Sequence, residues 1–182
     1  MLALCGQAVH AAPTKAHPVT ARGVLDAVAD PVPDPTLCNA AGGTYVAGPA
    51  DFPESGTSTL KGTFDGTGRF CGHTTGFPGP GGRIEVVETD TFTGTVHGCG
   101  TGTVVYRVKG YVGAVPDLAR RGLPSEEDWQ IVPGSGTGGL RSLRSGGGHD
   151  SGQINLDSSI HTDFKGHVSC APPRPSGQRG GR

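Results

Sequence analysis

Glycine and proline constrain this chain before any motif does. Its 182 residues include 33 glycines and 15 prolines, roughly a quarter of the chain against ~12 per cent in ordinary proteins. Each interior glycine costs a helix about 1 kcal/mol relative to alanine and each proline about 3 kcal/mol, so long helices are excluded. Such a content borders on low complexity, yet 34% hydrophobic residues and a formal net charge of -1 do not describe a charge-expanded disordered chain. A folded core with loose ends is expected. The 15 basic and 16 acidic residues form no basic cluster, so the electrostatic footprint of a nucleic-acid binder is missing. No apolar run approaches the ~18 residues of a membrane-spanning helix.

The ends differ from the middle. Val9-His10-Ala11 carries the small residues that a signal peptidase requires, but the apolar stretch before it, Leu2 to Val9, is shorter than a full signal. Residues 1–11 therefore read as the remnant of a secretory signal peptide, with an accidental alanine-rich terminus as the alternative. Removing Cys5 with that segment leaves Cys38, Cys71, Cys99 and Cys170, an even set without a Cys-x-x-Cys pair, which fits two structural disulfides in an exported, extracellular protein. Four cysteines allow three connectivities. Because the first and last strands of a closed antiparallel barrel are neighbours, Cys38–Cys170 is preferred, leaving Cys71–Cys99. Residues 12–41, with Pro13, Pro18, Pro31, Pro33 and Pro35, read as a linker holding at most a short helix around 23–30. Residues 171–182 read as a disordered tail, its arginines solvated.

Residues 42–170 read as one all-β domain. Short Thr/Val/Phe-rich segments alternate with glycine-containing turns, the pattern of an antiparallel sandwich or barrel. Strands are expected at 43–48, 58–64, 68–75, 83–96, 102–112, 127–132, 138–143, 152–157 and 160–169, consecutive ones pairing as a meander. Alternation places Val104, Tyr106, Val108 and Val112 on a core face, and Thr162, Phe164 and Val168 on another. His161, Asp163 and His167 then fall on the solvated face, with the histidines about 20 Å apart along the strand. They are read as surface residues, as is His149-Asp150 in a glycine-rich loop, and no metal site is expected.

The segment 83–96 is the most informative. Ile84, Val86, Phe92 and Val96 share one face with Glu88 and Asp90, so two carboxylates point inward about 6.5–7 Å apart along the strand. Burying an unpaired charge is costly enough that such a group takes up a proton instead. Three ordinary accounts compete with a functional one: a bulge near Thr89 that turns the acids outward, a position at the wet barrel mouth, or pairing with an interior arginine such as Arg69.

Other motifs fail on their own terms. The loop 133–140 lacks the Lys-Ser/Thr of a P-loop, and Ser135 lacks the Gly-x-Ser-x-Gly spacing of a nucleophile elbow. Two acids on one strand cannot flank a glycosidic bond from opposite sides.

Glu88-Thr-Asp-Thr-Phe-Thr-Gly94, Gly98-Cys-Gly-Thr-Gly102, and Trp129-Gln-Ile-Val-Pro-Gly-Ser-Gly-Thr-Gly-Gly-Leu140 together resemble a family of small bacterial proteins of unassigned function. That family is similar to the allene oxide cyclase barrel superfamily. The likeness is most specific over 132–138, and the linker, cysteines and export signal depart from its intracellular members. It implies an up-and-down, eight-stranded, lipocalin-like antiparallel barrel open at one end. Related barrels include allene oxide cyclases, dirigent proteins and bacterial polyketide cyclases, which fold a flexible apolar substrate in a shaped cavity without a cofactor. The matching positions are mostly turn glycines, so no catalytic residue carries over.

Two functions follow. One is a secreted barrel that binds an apolar small molecule in its lumen against Phe92, Val104 and Trp129. The other is a cofactor-independent cyclase or isomerase with Glu88 or Asp90 as acid, base or cation stabiliser and Tyr106 as hydrogen-bond donor. A lumen of ~300 Å3 or more exposing both carboxylates supports ligand chemistry, and a lumen packed shut argues for a structural protein.

Overall fold

Extended segments punctuated by glycine leave the backbone one economical way to satisfy its hydrogen bonds without edges, which is closure into a barrel. The computed structural model describes residues 16–33, 51–75, 83–113, 122–155 and 157–171. Within them lie β1 (His17–Ala29), β2 (Asp51–Gly62), β3 (Phe64–Thr75), β4 (Arg83–Val96), β5 (Gly100–Gly113), β6 (Leu123–Ile131), β7 (Leu143–Ile154) and β8 (Ser159–Cys170), with a short 3-10 helix at Gly138–Ser142. Each strand pairs antiparallel with the next, and β1 pairs with β8 from His17 opposite Cys170 to Val28 opposite Ser159. The fold is thus an all-β, eight-stranded, up-and-down barrel, as expected. Among the described residues no helix is long and apolar enough to cross a membrane.

The strand that closes the barrel comes from the segment read as linker. Residues 17–29 are not a helix or connector but β1, hydrogen-bonded to β2 on one side and β8 on the other. Its alternation is carried by small residues. Ala21 and Ala27 are buried and Leu25 packs against the core, while Pro18 sits near the strand's start and Pro31 beyond its end, where proline disturbs a ladder least. The barrel domain therefore begins at about residue 17 rather than 42. The strand expected at 43–48, the signal remnant and the tail beyond Ala171 lie outside the described residues.

A second difference concerns 138–143, expected as a strand. Gly138–Ser142 forms a 3-10 helix whose Leu140 is fully buried. The chain enters it through Gly134 and Gly138, both at positive φ (79° and 54°), a region glycine occupies without penalty. The expected strand 152–157 begins much earlier, as β7 takes in the glycine-rich run 146–148.

The two ends of the barrel have opposite character. At the end holding the β4–β5 turn, Phe64 makes edge-to-face contacts with Phe92, Trp129 and Phe164 at centroid distances of 5.3, 5.9 and 5.7 Å, each worth about 0.5–1.5 kcal/mol beyond area burial. Val96, Val104, Leu140 and Val168, all fully buried, complete the packing.

The disulfides differ from the expected pairing. Cys99, in the β4–β5 turn, is joined to Cys170 at the end of β8, with Cα atoms 5.5 Å apart. Cys71 is disulfide-bonded as well. Neither Cys38–Cys170 nor Cys71–Cys99 is therefore present. Closure does set the first strand beside the last, but the first strand is His17–Ala29 and does not begin near Cys38. The end of β8 meets both the start of β1 and the β4–β5 turn: His17 Nε2 lies 3.3 Å from the Gly98 carbonyl oxygen, Ser142 Oγ donates to the Cys99 carbonyl (3.2 Å), and the Ala171 amide donates to the Ser142 carbonyl (2.8 Å).

Candidate functional site

The inward face of β4 continues without interruption through the two acids. Glu88 stands opposite Gly72 of β3 and Val108 of β5, and Asp90 opposite Phe70 and Tyr106. No bulge interrupts either ladder, which removes the first ordinary account of the acids. The arginine pairing is absent too, because Arg69 lies on the outer face and pairs with Asp30 at 3.3 Å. Both carboxylates enter the half of the lumen away from the Cys99–Cys170 end.

Three further acids join them. Glu54 of β2, Glu127 of β6 and Asp150 of β7 line the same cavity as Glu88, Asp90 and Tyr106. Sequence reasoning missed all three, although a signal exists for each. Glu54 shares parity with Ser58 and Leu60 but precedes the expected strand. Glu127 shares parity with Trp129 and Ile131, and Asp150 lies in a run that reads as a glycine-rich loop and is in fact β7. The stems of Glu88 and Glu127 fit because glycine stands across from them. A Cβ on Gly72 would lie 2.8 Å from Glu88 Cγ, and one on Gly110 would lie 2.6 Å from Glu127 Cγ.

The cavity beside the acids has a volume of about 40 Å3. A second of about 20 Å3, bounded mainly by Leu60, Phe64, Trp129 and Phe164, shares Leu25, Tyr106 and Asp150 with the first. Those three side chains are the partition between an acidic chamber and an aromatic one. The internal space is well below the ~300 Å3 of a typical ligand pocket. Tyr106 borders both chambers and Trp129 the aromatic one. Phe92 and Val104, expected as cavity walls, are wholly buried in the packed end and line neither chamber. On β8 the alternation holds: Thr162, Phe164 and Val168 are buried, while His161, Asp163 and His167 are exposed. His161 Nδ1 lies 2.6 Å from Asp26 Oδ1 on the outer surface.

Burial dominates the electrostatics. It raises Glu54 to about 7, with Glu127 adding to the rise, and Asp150 to about 8, helped by Glu127 and Asp90. Glu88 and Asp90 stand well above the carboxylate range, again chiefly through burial. For Glu88 the neighbouring acids add to the rise, and for Asp90 the Tyr106 hydroxyl opposes it. Glu127 is also raised by burial, opposed by Ser125 Oγ, which donates to it (2.7 Å), and by His149 acting through the wall. The cluster thus holds protons at neutral pH, because carboxylates packed together in a poorly solvated space cannot all ionise.

Its polar atoms are nonetheless under-used. Asp150 Oδ1, Ser58 Oγ, Thr162 Oγ1 and Trp129 Nε1 have no hydrogen-bond partner, and Asp90 Oδ1, Tyr106 Oη and Glu54 Oε1 have none of regular geometry, although Asp90 and Tyr106, and Glu54 and Glu88, act on each other. Asp90 and Asp150 are 4% and 6% exposed, and Tyr106 6%. Buried polar groups are rarely left this way, since each costs about 1–3 kcal/mol. Among the described residues no three His, Cys, Asp or Glu side chains are disposed to hold a metal ion.

The fold and site define a small closed antiparallel barrel with a packed aromatic end and an acidic, partly hollow one. No family model and no curated protein matches the chain. A solved structure it is similar to is a protein of unknown function from the DUF3224 family of Shewanella oneidensis MR-1, with 16% identity and a TM-score of 0.45 over 88% of this chain and 100% of that one.

Proposed function

We propose that this protein is an exported barrel that binds a small, largely apolar molecule in its lumen. The observation that carries this reading is the set of unpartnered polar atoms facing a cavity that abuts an aromatic chamber. A ligand with an apolar body and one polar end would occupy both chambers and give those atoms partners. The cavity volumes restrict it to a few heavy atoms unless the Leu25, Tyr106 and Asp150 partition moves. Export is supported by Val9-His10-Ala11 and by the disulfides, which persist in oxidising compartments.

Trp129 is the single tryptophan and borders the aromatic chamber, so its fluorescence reports occupancy. Titration with small alcohols, amines and arenes is expected to shift Trp129 emission saturably, and Glu88→Gln and Asp90→Asn are expected to weaken the response to ligands with a polar end. No saturable response from any probe would overturn the reading, and full binding by both variants would remove these two acids from the site.

A second reading, a cofactor-independent cyclase or isomerase like the allene oxide cyclase barrels, is favoured by one observation. Asp150 and Glu54, at about 8 and about 7, can give and take protons near neutral pH, as general acids and bases must. Asp90 and Glu88 would serve as proton donors or cation stabilisers and Tyr106 as the orienting hydroxyl, with Trp129 as a wall. Turnover of a cyclisable polyene or epoxide, lost in Asp90→Asn, is the result that would establish it.

A further inference from the structure

The lumen is chemically one-sided. Carboxyl groups from four strands line its larger chamber, while among the described residues no lysine, arginine or histidine lines either chamber. Acidic residues alone would define nothing, but the hydroxyls of Ser58, Tyr106 and Thr162, only 5%, 6% and 2% exposed, also face the chamber without partners of regular geometry. A neutral apolar guest leaves these groups and the Asp90 and Asp150 oxygens unsatisfied. An anionic guest adds charge of the wrong sign. The hydroxyls and the protonated carboxyls can donate as well as accept, and Trp129 Nε1, also without a partner, only donates. A primary ammonium group brings three donors and no acceptor, so it is matched by the carboxyl and hydroxyl oxygens once one carboxyl gives up its proton. The adjoining chamber, with Leu60, Phe64 and Trp129, offers an apolar and aromatic lining for the remainder, and aromatic faces attract cations.

We infer that the lumen takes a compact organic cation, a primary alkylammonium of about five heavy atoms by the space available, with its charged end among Glu54, Asp90 and Asp150 and its apolar body toward Leu25 and Trp129. This inference rests on the reading that the lumen binds a small molecule. Entry of the cation is coupled to proton loss: one carboxyl O–H bond breaks, the proton leaves to solvent, and the carboxylate formed accepts from the ammonium N–H, so the charge inside is unchanged. The groups facing the guest are Glu54 on β2, Glu88 and Asp90 on β4, Tyr106 on β5, Glu127 on β6 and Asp150 on β7, whereas β1, β3 and β8 contribute non-titrating side chains. Outside the wall, Glu126 and Asp128 add to the rise of Asp150, and His149 lowers Glu127.

The test compares n-butylammonium, n-butanol and butyrate by isothermal titration of the whole chain at pH 7, in two buffers of different ionisation enthalpy. The ammonium is expected to bind at least about tenfold more tightly than the alcohol, as a charge-assisted hydrogen bond implies, to release about one proton per molecule bound, and to lose its advantage in Asp90→Asn and Asp150→Asn. Butanol binding as tightly as butylammonium, or no proton release, would overturn the cation inference while leaving a lumenal binder standing. An ammonium preference that survives both substitutions places the cation elsewhere and also overturns it. If none of the three binds, the cation inference falls, while the lumenal reading is decided by the Trp129 titration with arenes.

Discussion

Asp150 and Glu54 show how burial turns a side chain into a pH-dependent liability. Unfolded, they lose their protons near 3.8 and 4.5; folded, they keep them to about 8 and about 7. Between those limits the folded state holds more protons than the unfolded one, so stability falls as pH rises. The contribution is full below about pH 4 and gone above about pH 8. His149, raised first by its contact with Asp128, acts in the same direction, since stability from a raised histidine is lost as pH climbs through its folded value. Asp65 and Asp157 are lowered and matter only on the acid side of this window. The melting temperature is therefore expected to be roughly 5–10 °C lower at pH 8 than at pH 5. Asp150→Asn, which removes the ionisable group, should raise it at pH 8 and change it little at pH 5. Thermal melts by circular dichroism across that range check both, and a melting temperature that climbs toward pH 8 would contradict the assignment.

At the scale of elements, the lumenal glycines are as informative as the acids. Gly110 of β5 leaves room for Glu127 on β6, and an alanine there would put its Cβ 2.2 Å from the Glu126 carbonyl oxygen. Gly110→Ala is expected to cost about 1–3 kcal/mol, the usual penalty of overpacking. At Gly134, in the loop after β6, an added Cβ would meet nothing within 4 Å, but φ is +79°. Its alanine variant should cost only about 1–2 kcal/mol, through backbone conformation alone. Chemical denaturation of the two variants separates the causes: the Gly110→Ala loss should persist when Glu127 is also shortened to alanine, because the tightest contact is with the Glu126 backbone, and it should exceed the Gly134 loss, which has no steric part. β1 teaches a related point. Strands of alanine and glycine bury too little apolar surface to announce themselves, and β1 exists because β2 and β8 offer it a row of unpaired backbone groups on each side.

For the molecule as a whole, closure and the Cys99–Cys170 link act together. The disulfide spans 71 residues of chain, and constraining a loop of that length in the unfolded state is worth about 4 kcal/mol. The Cys99→Ala, Cys170→Ala pair should lose about that much in urea denaturation at pH 5, with the slope of the transition revealing any change in the unfolded state. The strand character of the chain, its glycine corners and the inward set of β4 and β5 were legible in the sequence, because alternation is a local property with a period of two. So was the inward direction of Glu88 and Asp90, which follows from parity with Val86 and Phe92. The place of β1, the disulfide partners and the size of the cavity were not, and the acids Glu54, Glu127 and Asp150 carry only a parity signal that gains meaning once their strands are in place. They depend on which strands become neighbours when the sheet closes, and closure is set by long-range pairing between segments whose own sequences are nearly silent. Alternation in the sequence thus determined an antiparallel sandwich or barrel with two acids on an inward face, and only the tertiary structure decided that the sheet closes and that five acids meet inside it, because they arrive on four strands from distant parts of the chain.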